Sequence, residues 1–464
     1  MNQQKAQKIR KEIIERFTQN TKQAKKHDVK AKKHLPGGDT RNASYYPPYP
    51  AYIERGKGCY IYDCDGNRYI DFLNNYTSLI HGHAHPEIVK AAQAQLKKGT
   101  VLSSPAVITY QHADLLCKRL PSMDMVRYGN SGTEATLFAI RAARAFTKKD
   151  TIIKMDGGYH GSHDLVEVNI RPDMTARGLP KKNPEGPGIP KGVLRDIVLV
   201  PFNDLDTVET VLKRQKGKIA AIIMEPMVGS LGMIPPRPGY LKGMRTLCNK
   251  YNVLLIFDEV ITFRLSTGGL QAISGVEPDL TALGKIIGGG FAVGAFGGRK
   301  EIMALFDPAY PERSRRMGHS GTFNGNNITM AAGIAALKNY DKKAVNRVNK
   351  LGDRLRNGFT KALKKTGLKG QCTGLGSLAV IHWRDGDITT ARDAVEGMIK
   401  AKDMPMLLHL EMMNRGIFAA SRGMFVVSTP MTEKEIDRAV KAFESSLKIL
   451  KPYAAEVVPE LIKP

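Results

Sequence analysis

Asp258 and Lys285 are the two side chains of this sequence best spaced to do chemistry together. The apolar run 253–257 ends in Asp258 and reads as a buried parallel strand. Such a strand delivers its carboxylate to the C-terminal sheet edge, where open α/β sheets bind ligands. A second short strand, 280–283, delivers Lys285 between Gly284 and the triplet Gly288-Gly289-Gly290, where bare backbone leaves room for a ligand. An Asp near a Lys can be a plain ion pair. An ion pair needs no glycine around its amine, however. A lysine that forms a Schiff base with pyridoxal phosphate (PLP) needs space for a flat ring and a lowered pKa. The carboxylate would then keep the pyridine nitrogen protonated, so that the ring absorbs the electrons of a substrate carbanion.

Such a cofactor also needs a phosphate site and a stacking surface. Gly129-Asn130-Ser131-Gly132-Thr133-Glu134-Ala135 follows a strand and opens a helix. Ser131 and Glu134 form a capping box, and the small residues leave N–H groups aimed at an anion, so Ser131, Gly132 and Thr133 are candidate phosphate ligands. Neither a P-loop nor G-x-G-x-x-G after a strand is present, which disfavours a nucleotide. Gly157-Gly158-Tyr159-His160-Gly161 follows the strand 151–155 and puts Tyr159 at the same edge, where its ring can stack on a flat cofactor.

The elements around these residues alternate. Strands at 126–128, 151–155 and 219–224 and helices at 132–146, 204–212 and from Tyr240 make a βαβ series for a parallel sheet with right-handed crossovers. Beyond Gly325 come helices 328–339 and 342–365, strand 377–383, helix 401–415, strands near Ile417 and Phe425, and helix 433–450. That is a separate α+β unit. Ahead of the series, Cys59 to Asp63 and Asn67 to Phe72 alternate around Asp65-Gly66 as a β-hairpin. Ile9, Ile13, Ile14 and Phe17 fall at helical spacing in an amphipathic first segment. His81, His83 and His85 alternate as metal ligands on a strand would, but acidic partners are missing and Pro86 marks a helix start, so no metal is expected. The domains expected are a basic extension over 1–34, the first part of a small domain over 35–95, a large cofactor domain over 96–335 and the rest of the small domain over 336–464.

At 464 residues, 42% hydrophobic and 25% charged, the chain is long enough for two or more domains. It has no apolar run of membrane-spanning length and no signal-peptide core at its start, which points to a cytoplasmic protein with no membrane partner. Five scattered cysteines read as reduced thiols. The formal net charge of +26 raises nucleic acid as a partner. Much of the excess lies in residues 1–34, without stacking aromatics or a recognition signature, so no specific nucleic-acid binding is expected.

NSGTEA, GGYHG, EPM, FDEV, the lysine of LGKIIGGG with GAFGGR after it, and HSGTFNGN resemble, in this order, the motifs of class III aminotransferases. The resemblance runs over roughly residues 35–450. It implies an α/β PLP fold type I: a large, mostly parallel sheet domain flanked by helices, and a smaller α+β domain from both chain ends. It implies a homodimer with shared active sites and assigns Lys285 as the Schiff-base lysine, with Asp258 on the pyridine nitrogen. Ser131, Gly132 and Thr133 would hold the phosphate, with Thr322 reaching it from the other subunit; Tyr159 and Val260 would cover the two ring faces. Glu225 belongs to the same cofactor set, and Val228 stands where the family often has a Gln for the ring hydroxyl, which leaves Ser230 as the substitute.

Two branches of the family are close. The stretch Pro36-Gly37-Gly38-Asp39-Thr40-Arg41, the segment from Ser421 to Val426, and Tyr76 resemble β-amino-acid aminotransferases of the β-phenylalanine type rather than glutamate-1-semialdehyde 2,1-aminomutase. Arg41, Tyr76 and Arg422 are then the candidate substrate residues, because both donor and keto-acid acceptor are carboxylates and guanidinium forks match carboxylates. The expected reaction moves an amino group from a 3-amino-3-arylpropanoate-like donor to 2-oxoglutarate or pyruvate. An aminomutase needing no acceptor, and a basic nucleic-acid-binding protein on a degenerate scaffold, are the alternatives.

Overall fold

The computed structural model describes residues 2–175 and 178–463. Its backbone divides into two compact units: one made of Met1–His85, Arg347–Gly386 and Glu396–Pro464, the other of Pro86–Asn346 and Asp387–Val395.

The larger unit is built on a seven-stranded sheet in the order Met125–Gly129, Gly294–Gly298, Leu280–Gly284, Leu254–Asp258, Ile219–Met224, Thr151–Met155, Ile197–Val200. All neighbours pair in parallel except Gly294–Gly298, which runs antiparallel to both of its neighbours. Leu254 and Ile256 join one apolar cluster while Leu255 and Phe257 join the other, so the sheet is buried on both faces. One layer packs helix Gly132–Thr147 through Ala135, Ala139, Ala142 and Ala143, whose small side chains let helix and sheet approach closely. The opposite cluster takes Val208, Val211 and Leu212 from helix Leu205–Arg214, and Leu241, Met244 and Cys248 from helix Tyr240–Tyr251. Residues 86–95, expected in the small domain, belong here, because helix Pro86–Leu96 sets Ile88 against Ala332 and Ala336 of helix Asn327–Asn339.

The smaller unit carries a four-stranded sheet, Ile53–Lys57, Tyr60–Asp63, Arg68–Asp71 and Ile417–Phe418, and a three-stranded sheet, Gln371–Thr373, Leu378–His382 and Met424–Val426. The basic N-terminal segment forms two helices, Asn2–Asn20 and Lys22–Ala31. Ile13 and Phe17 are buried, and Arg16 bonds both oxygens of the fully buried Glu411 at 3.1 Å. Two side chains of the histidine run are engaged by hydrogen bonds, His81 to Thr429 at 3.0 Å and His83 to Asp71 at 2.7 Å. All five cysteines are free thiols. Among the described residues, no helix is long and apolar enough to cross a membrane.

Candidate active site

In the larger unit, Asp258 closes its strand beside Ala282 of the next one, three residues before Lys285. Its carboxylate is 5% exposed. Oδ2 accepts from His160 Nδ1 at 2.9 Å and Oδ1 from the Val260 N–H at 3.1 Å. An ionised carboxylate only accepts, so His160 carries its proton on Nδ1; its Nε2 is buried without a partner. Lys285 has a left-handed backbone, φ +49°. That conformation costs a non-glycine residue about 1–3 kcal/mol and persists only where its surroundings hold it. Here they do: His112, fully buried, donates from Nε2 to the Ile287 carbonyl at 2.8 Å and accepts on Nδ1 from the Tyr128 hydroxyl at 2.7 Å. Among the described residues the Lys285 amine makes no hydrogen bond or ion pair. Burial lowers its pKa, opposed by the negative charges of Asp258 and Glu225.

Glu225 is buried at the end of strand Ile219–Met224, and its carboxylate is spent on backbone and hydroxyl groups. Oε1 accepts from the Tyr159 N–H at 3.1 Å and the Ser230 hydroxyl at 3.0 Å; Oε2 accepts from the N–H groups of Gly229 at 2.9 Å and Ser230 at 3.2 Å. Burial pushes its carboxyl pKa up, His160 opposing. Glu225 therefore fixes the two loops that carry Tyr159 and Ser230. The Tyr159 side is left 37% exposed, far more than a core tyrosine. Val228 is buried and backbone-paired with Ile234, an apolar residue where a polar ligand to the ring would stand.

Ser131 caps helix Gly132–Thr147, accepting from the Glu134 N–H at 3.2 Å, while Glu134 Oε2 accepts from the Asn130 N–H at 2.6 Å. That leaves the N–H groups of Gly132 and Thr133 at the positive end of the helix, free for an anion. Thr133 Oγ1 accepts from Ser162 N–H at 3.1 Å, which ties this loop to the GGYHG turn. Val260 lies 3.3 Å from where a Cβ on Gly132 would stand, so Val260 and the phosphate loop border the same space. Thr322 is exposed in the segment 318–326, and that segment is bound to the phosphate loop by Asn130 Nδ2 donating to Asn324 Oδ1 at 2.9 Å. An acid for a ring nitrogen, an unpartnered amine, and free helix N–H groups for a phosphate are a donor set that fits PLP. His160, His112, Asn130 and Asn324 were not singled out by sequence; His160, Asn130 and Asn324 lie inside motifs that could have flagged them, and His112 lies in none.

The substrate candidates lie in the smaller unit. Arg41 Nη1 donates to Asn75 Oδ1 at 2.7 Å, the Arg422 guanidinium sits 5.5 Å from the centre of the Tyr76 ring, and the Tyr76 hydroxyl bonds the Ala43 carbonyl. Burial raises the Tyr76 phenol pKa, and both arginines oppose the rise. Arg41, Asn75, Tyr76 and Ser421 line a cavity of about 390 Å³ with Tyr46 and Phe418. Residues 74–77 are all left-handed, φ +46° to +76°, a run that ordinary side chains avoid. Asp71 holds it by accepting from the Leu73 and Asn74 N–H groups, and the Asn74 amide donates to the Asp71 and Val426 carbonyls.

Comparison with known proteins places this geometry in a family. The family model "Aminotransferase class-III" matches residues 42–447. A beta-phenylalanine transaminase of Variovorax paradoxus is 37% identical over 433 residues, 93% of this chain and 94% of that protein. A glutamate-1-semialdehyde 2,1-aminomutase of Methanocaldococcus jannaschii is also 37% identical, over 417 residues, 89% of this chain and 95% of that one. The crystal structure of an omega-transaminase from Sphaerobacter thermophilus superposes with a TM-score of 0.89 at 42% identity, covering 92% of this chain and 98% of that one. With its mostly parallel sheet, its acid and amine on adjoining strand ends, and likeness of this extent, the chain belongs to the class III aminotransferases, PLP-dependent transaminases of fold type I.

Proposed function

We propose that the enzyme is a cytoplasmic, homodimeric β-amino-acid aminotransferase that moves an amino group from a 3-amino-3-arylpropanoate-like donor to 2-oxoglutarate or pyruvate. The observation that carries the reading is the pair of guanidiniums flanking Tyr76: neither Arg41 nor Arg422 has a carboxylate partner among the described residues. Two open forks suit a reaction in which donor and acceptor are both carboxylates. Five free thiols favour a reducing compartment.

When bound, pyridoxal phosphate supplies an electron sink for the carbanion left at the substrate carbon. Asp258, aimed by His160 and the Val260 N–H, would present its charge to the ring nitrogen. Ser131, Gly132 and Thr133 would hold the phosphate, Thr322 would serve the phosphate of the neighbouring copy, and Tyr159 and Val260 would cover the ring faces. Lys285 Nζ, its pKa lowered by burial, would act as general base to the proton on the donor's carbon and as general acid in delivering it to the cofactor, and would run the same transfer in reverse for the keto acid. Ser230, already donating to Glu225, stands in for the missing ring-hydroxyl ligand.

The test is an assay of 3-amino-3-phenylpropanoate with and without keto acid. Turnover should require the acceptor, and Arg41→Ala or Arg422→Ala should lower kcat/KM about ten- to a hundredfold, the worth of a lost charged hydrogen bond. The second reading is an aminomutase, favoured by the equal 37% identity to that branch. Isomerisation of an amino aldehyde with no acceptor present would replace the first reading with it. Borohydride labelling of any lysine other than Lys285 would sink both.

A further inference from the structure

A second concave site stands in the smaller unit, apart from the residues assigned above. It is a cavity of about 320 Å³ walled by Arg68, Arg415 and Arg438, with Phe17, Asn20 and Thr21 from the N-terminal helices on its other side. The charge around it does not balance. Arg415 Nη2 bonds Glu411 Oε1 at 2.8 Å, but Arg16 shares that same carboxylate. Arg415 Nε is buried with no partner. Arg68 lies with its guanidinium 5.0 Å from the centre of the Tyr60 ring, and among the described residues neither it nor Arg438 pairs with an acid; Asp437, next to Arg438, pairs with Arg354 at 2.7 Å. Three guanidiniums thus line the cavity, and the one carboxylate that pairs with any of them, Glu411 with Arg415, is shared with Arg16.

Concentrating like charge costs energy unless an anion relieves it. The backbone is shaped for the crowding. Gly416 has φ +75°, and a Cβ there would stand 3.1 Å from Arg438 Nη2, so the absent side chain lets the guanidinium lie against the main chain. Planar forks of fixed geometry, one with an unused buried donor, match the oxygens of a phosphate better than those of a single carboxylate, which offers half the charge.

We propose that this cavity is a binding site for a small molecule carrying a phosphate or pyrophosphate group. The ligand bridges the helix Asn2–Asn20 and the corner at Thr21 to the strand Arg68–Asp71 and the helix Glu433–Val457, and so gives the basic N-terminal segment a task beyond packing. The proposal stands independently of the substrate reading above.

The test is calorimetric titration of the PLP-saturated enzyme with pyrophosphate, the cofactor filling the phosphate loop at Ser131. One saturable site per chain is expected, weakened about tenfold or more in Arg68→Gln and in Arg438→Gln. Arg195→Gln, which removes an exposed arginine of the larger unit paired with Asp196, should leave it intact. Arg415→Gln is avoided, because it takes one partner from the buried Glu411 and threatens the fold. Absence of saturable binding, or equal affinity in all three variants, overturns the proposal.

Discussion

His112 shows how much one neutral imidazole controls. It is the strut under the turn that carries Lys285, and it works only while one nitrogen donates to Ile287 and the other accepts from Tyr128. Burial pushes its pKa down to about 4, and His409, packed 4.4 Å centre to centre against Tyr46, is likewise pushed to about 4. In the unfolded chain both titrate near 6.5. Between those values the unfolded state binds protons that the folded state refuses, so stability falls as pH falls, by up to about 1.4 kcal/mol per pH unit for each histidine. The midpoint of thermal unfolding should therefore drop from pH 7 to pH 5. His409→Leu, which removes one titrating group from a site with no hydrogen-bond partner at Nε2, should flatten that dependence; an unchanged pH slope in the variant refutes the assignment. In the folded enzyme His112 takes a proton only near its lowered pKa of about 4, where Nδ1 becomes a donor and its bond to the Tyr128 hydroxyl must reverse, so cofactor retention should weaken there rather than between pH 7 and pH 5.

Among the elements, the antiparallel strand Gly294–Gly298 matters most for the site and shows least in the sequence. Other strands of the sheet read easily: 253–257 and 219–224 are apolar runs of strand length, and both appear as buried strands where expected. Gly-Ala-Phe-Gly-Gly has no such pattern, because what is selected there is close approach rather than hydrophobic area. A Cβ on Gly294 would lie 1.8 Å from the Ser131 carbonyl oxygen. Gly294→Ala should thus cost about 1–3 kcal/mol of stability and displace the phosphate loop. An absorbance titration should show weaker PLP binding, while Gly186→Ala, with nothing within 4 Å, should not; equal affinity in the two variants would mean that the strand does not set the loop. The same contrast explains the rest of the site. Asp258, Lys285 and Ser131 were legible because strand ends and helix caps are local signals. The His112 contact to Ile287 and the Asn130 contact to Asn324 join residues 175 and 194 positions apart, and no local pattern encodes such pairs. Left-handed Asn74 to Thr77 ran against steric preference, and the helix expected over 401–415 is Met404–Met413 preceded by a separate helix Ala391–Ala401.

For the molecule as a whole, the larger unit groups several exposed apolar residues where the dimer reading wants them. Val101, Leu102, Val107 and Tyr110 are 39%, 50%, 62% and 63% exposed, and all four line a cavity of about 860 Å³ that Thr322 also lines. Phe323, next to Thr322, is 59% exposed. Apolar side chains grouped this way around one hollow are the composition of an interface core, and leaving them in water forgoes about 25 cal/mol for each Å² that a second copy would cover. Because Asn324 ties the same segment to the phosphate loop, losing the partner should loosen the cofactor as well. Leu102→Glu with Tyr110→Glu would place two charges in that core at little cost to the isolated chain, both positions being exposed. Sedimentation should find the unsubstituted enzyme at twice the chain mass and the double variant at one, with PLP lost more readily from the variant on dialysis. A double variant that stays dimeric would move the interface elsewhere, and one that becomes monomeric yet holds PLP as tightly as before would remove Thr322 from the neighbouring phosphate site.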